Sequence, residues 1–533
     1  MEPRFSYAMW SLLIPRTYGR PLKIATQPQL HPCSNPNQQL HPPSPNAYNN
    51  PTKKGTDPFL KGLILVTAEA AAQASPSSIP TKPIPRMKGH WFWGCALDLA
   101  AERSQFLLAG HEEYGDVFIS RALVRDIMFV RDPAVVNAIN VTYWADFYKP
   151  DYIKTMWKPF LGNGLVPNDG ESWKRQHKLI MPGFHKKRVD AYAPTMVDFT
   201  ERMLARWQEG ERRDMRLELN ALALEVVADT LFDIDIGAGD SETIRGALAD
   251  ISKILVTDAD KMIPRPDWWP TAENLRKKRA IAKIEEIIRR VHEERRTYKT
   301  DRGDLFSHMV FVEDEQGGMS DKQLRDEAMT LIFAGHETTA HALTWTWYLL
   351  AKNPDKVVKM REELGRVLHG RRAEVEDLPN LPYLEMVVKE SLRLLPSVWA
   401  YARQAQRDLV IEGYEIKKGQ TITISHIAAG RNAKYYDNPL EFRPERWTRE
   451  FERSLPRGAY TPFAGGPRVC LGQQFAKMEM RMILATLLQR VEPNLAAGFE
   501  PDFVTELSMH PGERGMQTNV HFWEDTRAAP RHK

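Results

Sequence analysis

The sequence predicts a mainly α chain with small β-sheets, and three of its features do so. An uninterrupted helical pattern opens at Ser320-Asp321-Lys322-Gln323, which reads as a capping box, and stops at Asn353-Pro354. At ~1.5 Å per residue it is roughly 50 Å long, enough to cross the whole molecule. Strand-like runs are few and short: Val117–Ile119, Ile127–Val130, Leu409–Glu412 and Thr421–Ile424. One cysteine, Cys470, sits in a glycine-bounded loop directly before a further helical pattern.

The bulk properties narrow the class. The chain has 533 residues, 42% apolar and 27% charged, with a net charge of +4 and a pI near 8.7. That charge is too mild for a nucleic-acid binder. Its cysteines, Cys33, Cys95 and Cys470, form no C-x-x-C pair, which argues against a disulfide scaffold or structural zinc and fits a reducing, cytoplasmic setting. Residues 27–57 are rich in Pro, Asn, Gln and Ser, and Pro76, Pro80, Pro83 and Pro85 follow, so residues 1–88 are expected to be a disordered extension. The apolar run 62–74 is interrupted by Glu69 and falls short of the ~20 residues that span a bilayer. No integral membrane span is expected, and any membrane association would be peripheral.

From Trp91 onward the pattern is globular. Asp98 to Ala109 reads as a helix, and Asp132-Pro133 starts another through Ala138. Residues 147–170 read as irregular, broken by Pro150, Pro159, Gly162, Gly164, Pro167 and Gly170. Their aromatics (Phe147, Tyr148, Tyr152, Trp157, Phe160) would line an apolar wall or simply pack on a core. Trp173 and His177 then share one helical face. Leu409–Glu412 and Thr421–Ile424, flanking Gly413 and Gly419, read as one hairpin.

Midway along the long helix stands Ala334-Gly335-His336-Glu337-Thr338-Thr339. A threonine hydroxyl that bonds the carbonyl four residues back loosens a helix, and the small Ala334-Gly335 pair leaves room beside it. Glu337 and Thr338 would be placed to relay protons through water. A zinc-protease box is excluded, because position 340 is alanine and His341 lies ~140° around the helix from His336. Glu390 and Arg393 form an i,i+3 pair, and Arg446 follows in Pro444-Glu445-Arg446-Trp447.

The loop Phe463-Ala464-Gly465-Gly466-Pro467-Arg468-Val469-Cys470-Leu471-Gly472 suits a thiolate bound to haem iron. Such an anion must be held in a mostly apolar place, and backbone N–H groups at a helix start can stabilise it. Gly466 allows a tight turn, Gly472 a close approach to a flat macrocycle, Phe463 cover for the sulfur, and Arg468 a cation for a propionate.

This run resembles the cysteine-ligand loop of the cytochrome P450 family, matching Phe-x-x-Gly-x-Arg-x-Cys-x-Gly at every fixed position. The resemblance implies a triangular, mainly α prism over residues 89–525, with 526–533 as a tail. It implies heme b with Cys470 as the axial, metal-binding thiolate, and Phe463, Gly466, Arg468, Gly472, Trp173, His177, Arg403 and Ala334 as cofactor-binding residues. His177 departs from the family's Trp-x-x-x-Arg. The resemblance further implies Thr338 as proton-relay hydroxyl with Glu337 as its acidic neighbour. Glu390, Arg393 and Arg446 become a buried network that locks the cysteine loop, and Val398, Trp399 and Leu507-Ser508-Met509 become pocket residues.

The implied reaction is monooxygenation of a small lipophilic substrate with O2: a fatty acid first, with terpenoid, carotenoid and polyketide scaffolds close behind. Too little chain follows Cys470 for a flavin domain, so a separate ferredoxin- or flavodoxin-type donor is expected. It would dock on a basic face of Lys174, Arg175, Lys178, Lys186, Lys187, Arg188, Lys477 and Arg481 of a monomer. The residues leave three alternatives open: a peroxide-driven or isomerising haem-thiolate enzyme, a non-catalytic haem sensor, and a scaffold without cofactor.

Overall fold

The computed structural model describes residues 81–233, 238–260, 269–299 and 301–524. The expected extension over 1–80 and the tail from 526 lie outside the described residues. Ordered pairing begins ahead of the boundary expected at 88: Lys82 N–H donates to Gly413 O (2.7 Å), Ile119 N–H to Pro85 O (2.9 Å) and Met87 N–H to Ile119 O (2.9 Å). Proline holds backbone extended and is tolerated at a sheet edge, which suits Pro83 and Pro85 here.

The expected first helix is two helices, α1 (Ala96–Ala101) and α2 (Arg103–Tyr114), broken at Glu102 (φ −145°, ψ 78°). The break frees the start of α2 for partners far along the chain. Arg103 donates to Thr505 O (3.0 Å) and Ser104 N–H to Thr505 Oγ1 (3.2 Å). The strands β1 (Val117–Ala122) and β2 (Arg125–Val130) form an antiparallel hairpin. Asp132 caps the short helix Pro133–Asn137, accepting from the N–H groups of Ala134 and Val135, and a π-turn over Ala138–Thr142 continues it. β3 (Phe147–Tyr148) follows.

The stretch read as irregular contains a regular helix, α3 (Asp151–Leu161). Its prolines are compatible with helix: Pro150 precedes the first turn, and Pro159 falls in the last one, where it removes a single ladder bond. Gly162, at φ +55°, then ends the helix. Beyond it lie α4 (Gly170–Ile180) and α5 (Met215–Phe232). The long pattern is one unbroken helix, α6 (Asp321–Lys352), whose Ser320 hydroxyl accepts from Gln323 N–H (3.2 Å). α6 is buried along most of its length against α5 and, further on, α7 (Pro382–Leu394) and α8 (Gln473–Leu488).

The second sheet region differs from the expected hairpin. After β4 (Ala400–Ala405), β5 (Leu409–Ile411) pairs with β6 (Tyr414–Ile416), not with Thr421–Ile424. The two connecting residues, Glu412 (φ +51°) and Gly413 (φ +83°), both take the left-handed conformation that a tight two-residue hairpin needs. β7 (Thr421–Ser425) leaves to lie antiparallel to β4 and parallel to β2, giving the sheet order β1-β2-β7-β4-β3. There it buries Ile422 and Ile424 with Met128 and Val130 in one apolar cluster. A small pair, β8 (Val504–Thr505) and β9 (Met509–His510), packs against α6. Among the described residues no helix is long and apolar enough to cross a membrane.

The start of α6 holds an anomaly with a measurable consequence. Glu327 is fully buried (0% exposed); one oxygen accepts Leu165 N–H (2.9 Å) and the other has no hydrogen-bond partner among the described residues. Burial pushes its carboxyl up to about 8, with the Leu165 N–H opposing. A carboxyl raised in the folded state contributes stability that is present below its unfolded pKa and is lost as pH rises through the folded value. Glu327→Gln keeps the shape without the charge. Between pH 5 and pH 9 we expect the parent to lose on the order of 3 kcal/mol more stability than Glu327→Gln, read from their urea midpoints.

Candidate active site

The cysteine loop is built from its own backbone. Ala464 N–H donates to Thr461 O (2.8 Å), Val469 N–H to Gly466 O (3.1 Å) and Cys470 N–H to Phe463 O (2.9 Å). Gly466 has φ +64°, and a Cβ there would lie 1.9 Å from Asn140 O of the π-turn, so only glycine fits. Gly472 caps α8 and is open: a Cβ would meet nothing nearer than Phe184 at 3.9 Å. Cys470 has accessible surface, yet protein surrounds it, so that surface is an inner wall rather than the outside of the molecule. Burial pushes its thiol up, and only the backbone N–H of Gly472 opposes. Lys477 stands over the Phe463 ring (5.5 Å).

Four expected cofactor contacts converge next to this loop. The Arg468 guanidinium lies over the Trp173 ring (4.3 Å), and Trp173 packs on His177 (4.9 Å between centroids) along one face of α4. Arg403, on β4, is half-buried, stacks on Tyr401 (4.7 Å) and, among the described residues, its guanidinium donates to its neighbour Ala402 O (3.0 Å). Burial, and then Arg468, lowers the His177 pKa, so His177 is neutral at ordinary pH.

Two members of this cluster were not foreseen. Asp169 pairs with Arg468 (2.9 Å), and its other oxygen accepts Lys149 N–H (3.0 Å). Lys149 Nζ donates to Asn168 O (2.5 Å) and lies 5.9 Å from the Trp173 ring centre. Asp169 was legible as the N-cap position of α4, although it spends its carboxylate on cations instead of capping. Lys149 carried no local signal.

Among the described residues, buried Nε and Nη1 of Arg468 have no hydrogen-bond partner, which is expensive unless an anion completes them. Together with Arg403 and Lys149 they suit the carboxylates of a porphyrin edge. The accessible sulfur of Cys470 nearby suits its metal. The residues present therefore fit a haem.

On α6, Leu331, Ile332 and His336 are buried, whereas Ala334, Glu337 and Thr338 retain accessible surface along one stripe in the middle of the molecule. The Thr338 hydroxyl donates to Ala334 O (2.7 Å), as the spacing predicts, yet α6 runs on without a break. Gly335 does not open space beside this stripe. A Cβ there would press on Val227 of α5 (3.2 Å), so its smallness serves helix packing. Glu337 is held by Ser508 Oγ (3.0 Å) and Ser252 Oγ (3.4 Å), and burial raises its pKa.

Trp399 donates its ring N–H to Glu506 O (2.9 Å), Val398 O meets His426 Nδ1 (2.9 Å), and Met509 N–H donates to Ser397 O (2.8 Å). This brings the two expected pocket turns together. Glu479 on α8 was also unforeseen; it is fully buried, and burial pushes its carboxyl well above the usual range, with Thr339 of α6 opposing.

Three of the eight cations of the expected basic face are held in close ion pairs. Lys174 pairs with Glu171 (2.6 Å), Arg175 with both oxygens of Asp314 (2.9 Å) and Lys186 with Asp190, while Lys178 and Lys187 are exposed.

Residues 84–515 match the family model described as Cytochrome P450. The chain is 33% identical over 408 residues to Cyclooctatin synthase of Streptomyces melanosporofaciens, covering 74% of this chain and 87% of that protein. It is 30% identical over 339 residues to Pentalenene oxygenase of Streptomyces avermitilis, covering 62% and 75%. It is 30% identical over 466 residues to human Cytochrome P450 4V2, covering 80% and 87%. With a match across so much of its length, and with relatives named as monooxygenases and oxygenases, the chain belongs to the cytochrome P450 family of monooxygenases.

Proposed function

We propose that the protein inserts one oxygen atom of O2 into an apolar cyclic hydrocarbon of the terpenoid kind, using heme b and a separate electron donor. The family implies a haem with a cysteine thiolate and a need for O2 and a redox partner. The thiolate-bound haem supplies O–O cleavage after two electrons and two protons arrive. Cys470 is the ligand in this reading; Arg468, Arg403, Lys149, Trp173 and His177 hold the propionate edge; and Gly466 and Gly472 clear the approach. Glu337 and Thr338 hold and pass protons at Oε1 and Oγ.

The observation that carries the reading is the accessible surface that Phe333, Ala334, Gly335, Glu337 and Thr338 keep midway along α6, between long buried stretches on either side. Phe333, which keeps accessible surface next to Ala334, supports an apolar substrate; Trp157 (5.1 Å) and Phe160 (5.5 Å) of α3 back it edge-on from the core. The relatives' names, Pentalenene oxygenase and Cyclooctat-9-en-7-ol 5-monooxygenase, favour cyclic alkenes over the fatty acid expected first. For the electron donor, Lys178 and Lys187 are the expected docking cations.

The test is a titration of the haem-loaded protein with cyclic sesquiterpenes and with linear fatty acids, read by the spin state of the iron. Cyclic terpenes are expected to shift it at least tenfold more tightly. A shift by fatty acids alone would overturn the substrate, and no shift by any lipophile would favour a sensor.

A further inference from the structure

Glu337 is joined to solvent by a line of side chains that the family motif does not include. Its Oε1 accepts from the Ser508 hydroxyl (3.0 Å), and the same hydroxyl lies 2.9 Å from Nδ1 of His341. His341 follows Glu337 by one helical turn, so both project from one face of α6, and Ser508, next to β9, spans them. Ser508 and His341 are 4% and 3% exposed. The His341 ring stacks on His510 (5.3 Å between centroids, 29° apart), and His510 Nε2 bonds Glu506 Oε2 (3.2 Å). At that end the side chains reach water: His510 is 16% and Glu506 35% exposed.

We propose that protons consumed at the active site reach Glu337 along this line, entering at Glu506 and His510 and passing through His341 and Ser508. The proposal rests on reading Glu337 as a proton donor to the reaction. In one passage the Nδ1–H bond of His341 breaks as Ser508 Oγ takes that proton. The Ser508 O–H bond breaks as its proton goes to the Glu337 carboxylate. His341 regains a proton at Nε2 from a water replenished by the His510–Glu506 pair. One proton is gained by Glu337 and one lost by solvent, no electron moves, and rotation of the hydroxyl and the ring resets the line.

The electrostatics agree. Burial, then the charges of His510, His336 and Arg216, holds His341 far below the usual histidine range, so it stays neutral and can take a proton at one nitrogen as it gives one at the other. Burial raises Glu337, Glu506 adds to this, and Ser508, His510 and Ser252 oppose. The acid therefore holds a proton more readily than an exposed glutamate would.

A purely structural role, pinning the β8–β9 turn to α6, would show the same contacts. His341→Asn separates the two, because an amide N–H in the Nδ1 position still donates to Ser508 but cannot pass a proton on. In haem-loaded full-length protein we expect Ser508→Ala and His341→Asn to lower turnover about tenfold or more and to enlarge the solvent deuterium isotope effect. Ser508→Thr restores both. Substrate-induced spin shift and melting temperature of His341→Asn stay at the parent's values. The infrared band of the protonated Glu337 carboxyl, identified by its loss in Glu337→Gln, moves in Ser508→Ala and returns in Ser508→Thr. Parent-like turnover and isotope effect in His341→Asn and Ser508→Ala, with Glu337→Gln slow, would overturn the line and leave the role of Glu337 standing. Parent-like turnover in Glu337→Gln would overturn that role itself.

Discussion

Glu390→Ala is expected to destabilise the protein by roughly 3–5 kcal/mol, because it strands two buried cations at once. Arg393 donates to both Glu390 oxygens (2.8 and 2.7 Å) and Arg446 to one (2.9 Å). The Trp447 ring N–H (2.8 Å) and the Arg443 N–H (2.9 Å) complete the carboxylate. All three charged side chains are at most 1% exposed. Burial alone would raise the Glu390 pKa, but the two arginines overcome it and hold the carboxyl below its usual range. A carboxyl depressed in this way contributes stability above its unfolded pKa and loses it as pH falls through the folded one, so the parent and Glu390→Ala should converge in acid.

The arginines are committed elsewhere too. Arg393 also donates to Pro439 O (2.7 Å) and Glu441 O (3.1 Å), and Arg446 to Asp437 O (2.9 Å). Losing Glu390 therefore unties α7 from the segment that leads to the cysteine loop. Thermal melting on the order of 10 °C lower, with haem lost on heating before the chain unfolds, is the expected record. Glu286, whose ion pair with Arg289 is exposed, is the control: Glu286→Ala should leave the midpoint where it was.

That network shows how far the sequence can be read. Glu390, Arg393 and Arg446 were each identifiable, because a helical i,i+3 pair and a later Pro-Glu-Arg-Trp turn carry their spacing in the chain. The long helix was legible for the same reason: periodicity and a serine cap are local. What escaped was set by distant partners. α3 was hidden because prolines were counted as breakers without regard to where in the helix they fall. The hairpin was misjudged because the choice between pairing β5 with β6 or with β7 depends on β2, some 290 residues away. Lys149, Asp169 and Glu479 matter only through what surrounds them, and no spacing announces that. Gly335 is the reverse case: its smallness was visible, but the neighbour it accommodates, Val227, was not.

Cys470→Ser is expected to abolish turnover, by about a thousandfold or more, while leaving the fold intact. The second half of that expectation comes from the loop. Its hydrogen bonds run through backbone atoms, Cys470 N–H to Phe463 O (2.9 Å) and Gln473 N–H to Cys470 O (3.2 Å), and none needs the sulfur. The first half comes from electrostatics. Burial raises the thiol, and a single backbone N–H works against it, so the protein alone does not make a thiolate here. In the reading that makes Cys470 the ligand, the compensating charge would come from the haem metal.

The haem-free protein should accordingly carry a slow, protonated thiol toward iodoacetamide at pH 8, and haem should block it. Cys33, and Cys95, which is buried with its thiol pushed up, are replaced beforehand by serine so that Cys470 is the one thiol left. In the reduced, carbon-monoxide-treated state the parent should show the red-shifted band of a thiolate-bound haem, and Cys470→Ser the band of a globin-like one. An unchanged spectrum in the serine variant would remove Cys470 as the ligand. A fast-reacting thiol in the haem-free protein would instead mean that the loop creates the anion by itself, with the metal arriving at a site already charged.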